Sequence, residues 1–157
     1  MQRPLRKPQK QINDQAQAIL ERNNILCLGM CLDSQPYTIY MNYGCLGGKI
    51  YMHTGAKGLK IEILATNPRV SFTVMEEVEL MSAPNPCKWD VRYRSVVGLG
   101  RAALVEDLTE KAAGLEAIAR QCGYDGEMNF PPEKVKGLAV IQIEIEHLSG
   151  KQNQMGE

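Results

Sequence analysis

Two stretches of the chain hold side chains able to do chemistry. In "HTGAKGLK", residues 53 to 60, a strand-like run passes through two glycines and two lysines into a helix-like run. A helix N-terminus exposes unpaired N–H groups and the positive end of the helix dipole, so this order of elements is a ready anion site. Gly55 and Gly58 would let the backbone approach a phosphate closely, Thr54 could donate a hydroxyl hydrogen bond, and Lys57 or Lys60 could supply full charge. The stretch is not a Walker loop, because G-x-x-x-x-G-K-[ST] is absent. The same residues also describe a plain strand-to-helix turn with solvated lysines, and on their own they leave both readings open.

The second stretch, "PCKWDVRYRSVVGLGRA" (residues 86 to 102), gathers the only tryptophan, a tyrosine and two arginines ahead of a strand whose glycines mark a close backbone approach. Rings, guanidinium planes and edge donors suit a flat aromatic ligand with a polar rim. Arg92 and Arg94 fall on one side of a strand and Tyr93 and Ser95 on the other, so only part of the set can face one ligand. An aromatic cluster at a subunit interface is the alternative.

The remaining reactive residues are sparse. Five cysteines, Cys27, Cys31, Cys45, Cys87 and Cys122, make an odd count with no C-x-x-C pair, which suggests neither a disulfide framework nor a zinc knuckle. His53 and His147 each lack a nearby second ligand, so no metal site is expected. With 18 basic and 18 acidic residues the chain has no excess charge with which to displace counterions, and nucleic acid is not expected as a partner. "ILCLGMCL" is too short to span a bilayer and too far in for a signal peptide, so no membrane partner is expected and the location expected is the cytoplasm.

These residues must be positioned by one domain, since 157 residues suffice for a single core. After a basic arm, Asp14 and Gln17 make a capping-box pattern ahead of a short amphipathic helix. The period then changes to two. "ILCLGMCL", "YTIYMNY" and "KIYMHT" form a meander, with Tyr37, Ile39, Met41 and Tyr43 on one face and Thr38, Tyr40 and Asn42 on the other. A helix follows from about Gly58 to Thr66, stopped at Asn67 before Pro68. "RVSFTVM" is a fourth strand, and residues 77 to 90, with two prolines and no steady period, read as a long loop. A long strand from Val91 to Val105 is expected to bulge or bend at Gly98 and Gly100. Asp107 and Glu110 cap a helix with an apolar stripe, "GYDGEMNFPPEK" is a loop, and "GLAVIQIEIEHL" is a last strand with Ala139, Ile141, Ile143 and Ile145 inward. The total is five or six antiparallel strands and three helices, a small barrel.

Taken in order, "PYTIYMNYG", "KIYMHTGAKGLKIEILATNPRVSF", "YRSVVGLGRA", "VEDLTEK" and "EHLSGK" resemble the pyridoxamine 5'-phosphate oxidase-like superfamily of FMN-binding split barrels, and most of all its nitroimidazole-resistance branch. The resemblance implies a mainly β fold, a six-stranded antiparallel Greek-key split barrel with about three peripheral helices. Residues 1–12 would be an arm, 13–151 the FMN-binding domain and 152–157 a tail. It implies a homodimer with FMN between subunits, Thr38, Ile39, Tyr40, Met41 and Asn42 lining the flavin largely through backbone, His53, Thr54, Leu59 and Lys60 at its phosphate, and Ser95 beside Arg94 reaching it from the side. Arg94 would stabilise the reduced flavin at its N1–O2 edge, and His53 is the candidate catalytic proton donor. Many relatives carry a basic residue where this chain has Leu59, which leaves the clamp to Lys60, Lys57 and the helix terminus. Relatives also often carry proline where Tyr40 stands, and its ring would narrow the substrate side. The activity implied is oxidoreduction of a small planar acceptor, nitroaromatics among them, with NAD(P)H or another reductant as donor. The alternative is an electron carrier or redox sensor without turnover. Pyridoxamine 5'-phosphate itself is not the expected substrate, because the sequence runs only a few residues past "SGK".

Overall fold

In the computed structural model, which describes residues 7–154, one antiparallel sheet of seven strands forms the body of the protein. The strands are β1 (Ile25–Leu32), β2 (Gln35–Asn42), β3 (Gly44–Leu46), β4 (Lys49–Gly55), β5 (Arg69–Met81), β6 (Asp90–Leu104) and β7 (Leu138–Asn153), in the order β2-β1-β5-β6-β7-β4-β3. The helices are α1 (Ala16–Arg22), α2 (Leu59–Thr66), α3 (Leu108–Gln121) and α4 (Pro132–Lys136). This is the split barrel, with seven strands instead of six and four helices instead of three. The added strand is the short β3, created where the chain bends at Tyr43. The added helix starts on the two prolines of "PPEK", a ring being well placed where a helix has no use for the N–H.

The sheet wraps a core of Leu26, Leu28 and Met30 from β1, Ile50 and Met52 from β4, Val70, Phe72 and Val74 from β5, and Ile141 and Ile143 from β7. Period-two alternation puts Tyr37, Ile39 and Met41 against this core and leaves Thr38, Tyr40 and Asn42 on the outer face, as their spacing predicts. Helix α2 closes one end with Ile63 and Leu64. Its start at Leu59 and stop at Asn67 match the sequence reading, and Asn67 ties the helix end to β1 by donating from Nδ2 to the Cys31 carbonyl at 2.9 Å. Helix α3 covers the outer side of β4 and β7, burying Leu115 and Ile118 with Tyr51 and Val140. Val140 and Ile141 are both fully buried, so the start of β7 packs on two faces and not only through its odd-numbered residues. Among the described residues no helix is long and apolar enough to cross a membrane.

Some expectations shift. Asp14 lies in a 3-10 turn at Asn13–Gln15, and α1 begins at Ala16 without a side-chain cap. Asp107 does cap α3, accepting from the Glu110 N–H at 2.8 Å. Residues 1–6 of the basic arm lie outside the described residues. Its last part is docked: Gln11 bridges Lys151, and the buried Ile12 donates its N–H to the Gly150 carbonyl at 3.0 Å. At the other end β7 runs on to a buried Asn153, so residues 152 and 153 belong to the sheet and not to a tail.

The larger correction concerns residues 77 to 90. Strand β5 continues to Met81 and pairs with β6 as far as Leu80↔Val91 and Met81↔Asp90, forming a two-stranded ribbon past the reach of β1. A bulge between Glu76 and Glu79, with Glu77 at φ 52°, bends it. The alternation "EVELM" is the strand signal, and only residues 82–89 keep the loop that the prolines demand, with a 3-10 turn at Pro86–Lys88. At the ribbon's base Arg22 forms a bidentate pair with Glu76, which also accepts from Asn23 Nδ2 at 2.7 Å.

The expected irregularity in β6 is present. Its register with β7 shifts between Leu99 and Gly100. Gly98 sits opposite Phe72, and a Cβ there would lie 2.0 Å from the phenyl Cζ. Gly98→Ala therefore has to displace a core ring, and we expect a loss of about 1 to 3 kcal/mol in denaturant unfolding. Burial pushes the Glu76 carboxyl up, but the hydrogen bonds from Arg22 and Asn23 outweigh it and hold the group below its ordinary value. A depressed carboxyl stabilises the fold above its unfolded pKa, and that contribution disappears as pH falls through the folded value. Thermal unfolding of Glu76→Gln should show a deficit at neutral pH that shrinks once the medium is more acid than about pH 4.

Candidate functional site

The barrel is split between β2 and β4, and backbone geometry says which atoms face the gap. Leu32 and Gln35 flank a two-residue turn whose Asp33 and Ser34 have φ 47° and 64°. In such a hairpin the flanking pair is hydrogen-bonded and bonding alternates along the ladder. Gln35, Tyr37, Ile39 and Met41 thus bond β1, while Thr38, Tyr40 and Asn42 direct their N–H and C=O groups away from it. The bond from the Tyr43 N–H to the Asn24 carbonyl, 3.1 Å, continues the same alternation.

The second hairpin repeats the logic. Gly47 and Gly48, at φ 60° and 77°, join Leu46 to Lys49. Cys45 then points its N–H away from β4, and Gln121 Oε1 accepts it at 2.7 Å. Beyond Tyr51, Met52 and Thr54 bond β7, leaving His53 and Gly55 to direct their backbone groups toward the side that β3 no longer occupies. Strand β2 pairs with β1, and residues 52 to 55 of β4 pair with β7; neither set pairs across the gap. The split is therefore walled by the backbone of Thr38, Tyr40 and Asn42 on one side and of His53 and Gly55 on the other.

The junction lies at the α2 end of this gap. Lys60 donates from Nζ to Thr54 Oγ1 at 2.9 Å, bringing the ammonium over the end of β4. Gly58 caps α2 at φ 126°, a conformation that side chains rarely adopt, and its carbonyl accepts the N–H groups of Ile61 and Glu62. Helical geometry leaves the N–H groups at the very start of α2 without a partner inside the helix. Of the other predicted residues, the exposed Leu59 opens the helix and the His53 ring stands exposed on the outer face, across the strand from Thr54. Thr54 and Lys60 thus meet at the end of β4, next to the backbone of Gly55 that faces the open side.

Arg94 and Ser95 do not join them within this chain. Ser95 lies on the bare outer face of the sheet in a groove of about 600 Å³ with Cys27, Tyr40, Thr73, Met75 and Tyr93. Arg94 points to the opposite face, where its Nη1 donates to Glu77 Oε1 at 3.1 Å. The outer face of β2, β1, β5 and β6 exposes Ile25 (58%), Tyr40 (75%), Met75 (57%) and Val97 (49%). Sequence reasoning found Tyr40, Tyr93 and Ser95 but not Cys27 and Thr73, whose place beside them depends on the register Tyr40↔Cys27↔Thr73↔Val97. Alternation alone could have marked both as outward-facing; only strand order makes them neighbours. Among the described residues, no group of three His, Cys, Asp or Glu side chains is placed to hold a metal ion.

No curated protein matches the chain significantly. Among solved structures, one described as a 5-nitroimidazole antibiotic resistance protein from Bacteroides thetaiotaomicron is 25% identical, with 90% of this chain and 84% of that chain covered and a TM-score of 0.78. The flavocytochrome Anf3 from Azotobacter vinelandii is 21% identical over 96% of this chain and 72% of its own, with a TM-score of 0.81. A FAD and heme binding protein from Mycobacterium smegmatis is 15% identical over 93% and 74%, with a TM-score of 0.77. The last two establish the fold alone. The family model of pyridoxamine 5'-phosphate oxidase matches residues 13–152, nearly the whole chain, and the protein belongs to that family.

Proposed function

We propose that the protein is a flavoprotein that holds FMN in the split, works as a homodimer, and reduces a small planar acceptor. The observation that carries this reading is the row of unpaired backbone groups on β2, contributed by Thr38, Tyr40 and Asn42. Each of these residues offers one donor and one acceptor to the gap, which suits the alternating carbonyl and N–H edge of an isoalloxazine. An open strand edge is normally blunted or covered. A flat cofactor covers it here.

Ile39 and Met41 face the core and bond β1, so they shape the wall without offering polar groups. Thr54 and Lys60 fit the phosphate, Lys60 supplying the charge and Gly58 a backbone without a side chain in the way. With Leu59 uncharged, the clamp rests on Lys60, Lys57 and the helix terminus. When bound, the flavin supplies the electron transfer, and the protein's share is to place it and admit the acceptor. His53, its ring exposed at the rim of the same gap, is assigned the delivery of a proton to the acceptor.

The bare outer face belongs to the second copy in this reading. Four large apolar side chains on one sheet face form a patch that monomers seldom leave open. Seating a partner there would place the groove around Tyr40 and Ser95 at the subunit boundary, the position from which Ser95 could approach a cofactor from the side. Arg94, tied to Glu77 on the other face, is given no contact.

The visible spectrum of the purified protein and FMN titration of the apoprotein test the cofactor; a colourless protein that takes up no FMN would end this reading. Lys60→Ala should weaken FMN by about 1.5 to 3 kcal/mol through loss of a charge-assisted contact, measured by quenching of flavin fluorescence. Unchanged affinity would move the phosphate elsewhere. Val97→Glu, placing a charge in the middle of the bare face, should convert a dimer into a monomer in sedimentation velocity; a wild-type monomer would refute the assembly. NAD(P)H oxidation with a nitroaromatic acceptor separates a turning-over enzyme from a carrier, which would show flavin reduction without sustained turnover.

A further inference from the structure

The split does not end at the phosphate position. The last pair of the β3–β4 ladder is Gly44↔Tyr51, and counting on from it brings Asn42 level with His53 and Tyr40 level with Gly55 along the two diverging walls. From there the chain turns through residues 56 to 58 into α2, and Leu59 and Ile63 come down beside the first residues of β2. Between them lies a cavity of about 350 Å³, walled by Pro36, Tyr37, Leu59 and Ile63 with Asp33 and Gln35 at the rim. Read backwards, β2 thus passes from its free edge at Asn42, Tyr40 and Thr38 to the cavity at Tyr37 and Pro36, whose far wall is the start of α2, the helix that carries Lys60.

The geometry points to this cavity as the seat of the adenosine of FAD, with the FMN half of the dinucleotide in the split. This rests on the flavin reading above and extends it. The cavity is at the small end of the range for ligand pockets, roughly 300 Å³ upward, which suits one heteroaromatic base and not a second whole cofactor. Its walls are a phenol ring, a proline and two aliphatic side chains, surfaces on which a base stacks, while Asp33 and Gln35 provide acceptors for an exocyclic amine or ribose hydroxyls. Leu59 also acquires a reason. An uncharged side chain beside the phosphate is a deficit for a terminal phosphate dianion, but it is a fitting wall for a base continuing past a diphosphate.

The test is a comparison of FMN and FAD on the same apoprotein by fluorescence titration. FAD should bind more tightly, by at least about tenfold, the gain expected from one stacked base. Tyr37→Leu, which keeps an apolar side chain but removes the ring, and Gln35→Ala, at an exposed rim position, should each reduce that preference and leave FMN affinity in place. Retained FMN binding also reports that a variant has folded; should Tyr37→Leu not fold, Gln35→Ala and the wild-type ratio still decide. Equal affinities, or a preference for FMN, would overturn the adenosine seat while the flavin reading stands. Binding of neither would remove both.

Discussion

Everything at the site depends on how the chain turns at Tyr43. Up to Asn42 the strand belongs to β1; from Gly44 it belongs to β4. The turn is held by the Tyr43 N–H bond to Asn24 and by its phenol, fully buried, which donates to the Leu20 carbonyl at 2.6 Å. Burial keeps that phenol protonated, its pKa raised far above the ordinary tyrosine value. A straight β2 would have zipped onto β4 and closed the barrel, satisfying the edges with each other. Because it bends, two runs of backbone are left facing a gap, and α2 closes only the far end. The donors and acceptors that a ligand would use are thus by-products of a change of strand partner.

The same bend fixes which functions fall in one chain and which do not. Alternation along β4 sends Thr54 toward the barrel end and His53 to the outer face, so a phosphate contact and an exposed imidazole can come from adjacent residues. Alternation along β6 separates Ser95 from Arg94, and the arginine is drawn into the charge cluster at the ribbon's base. Ser95 lies on the apolar outer face, away from the split. The junction of Thr54 with Lys60 and the groove around Ser95 are therefore separate features of a single chain.

Much of this was legible in the sequence because it rests on period two. The inward set Tyr37, Ile39 and Met41, the α2 boundaries, the Asp107 cap and the Gly98 to Gly100 irregularity are all local properties of a few residues. What the sequence hid is either pairing or competition between signals. The free edge of β2 follows from register and from two turns with positive φ, neither of which composition reveals. The ribbon was hidden because Pro84 and Pro86 argue for loop over a window in which Val78 and Leu80 argue for strand, and both are right for different residues. Asp14 looked like a cap because its spacing to Gln17 is correct, yet the chain there docks on β7 through Asn13, whose side chain accepts the Gly150 N–H, and the helix begins two residues later.

The electrostatics of the junction between β4 and α2 bear on what it could hold. A helix terminus contributes about half a unit charge, screened at the surface, and Lys60 contributes one, already shared with Thr54. Lys57 brings a second full charge to the same turn, so the junction matches the charge of a phosphate monoester even though Leu59 adds none. The strand edge complements it with groups that are fixed before any ligand arrives and lose no side-chain entropy on binding one. Their alignment depends on Tyr43, because only a β2 held away from β4 keeps those groups in line.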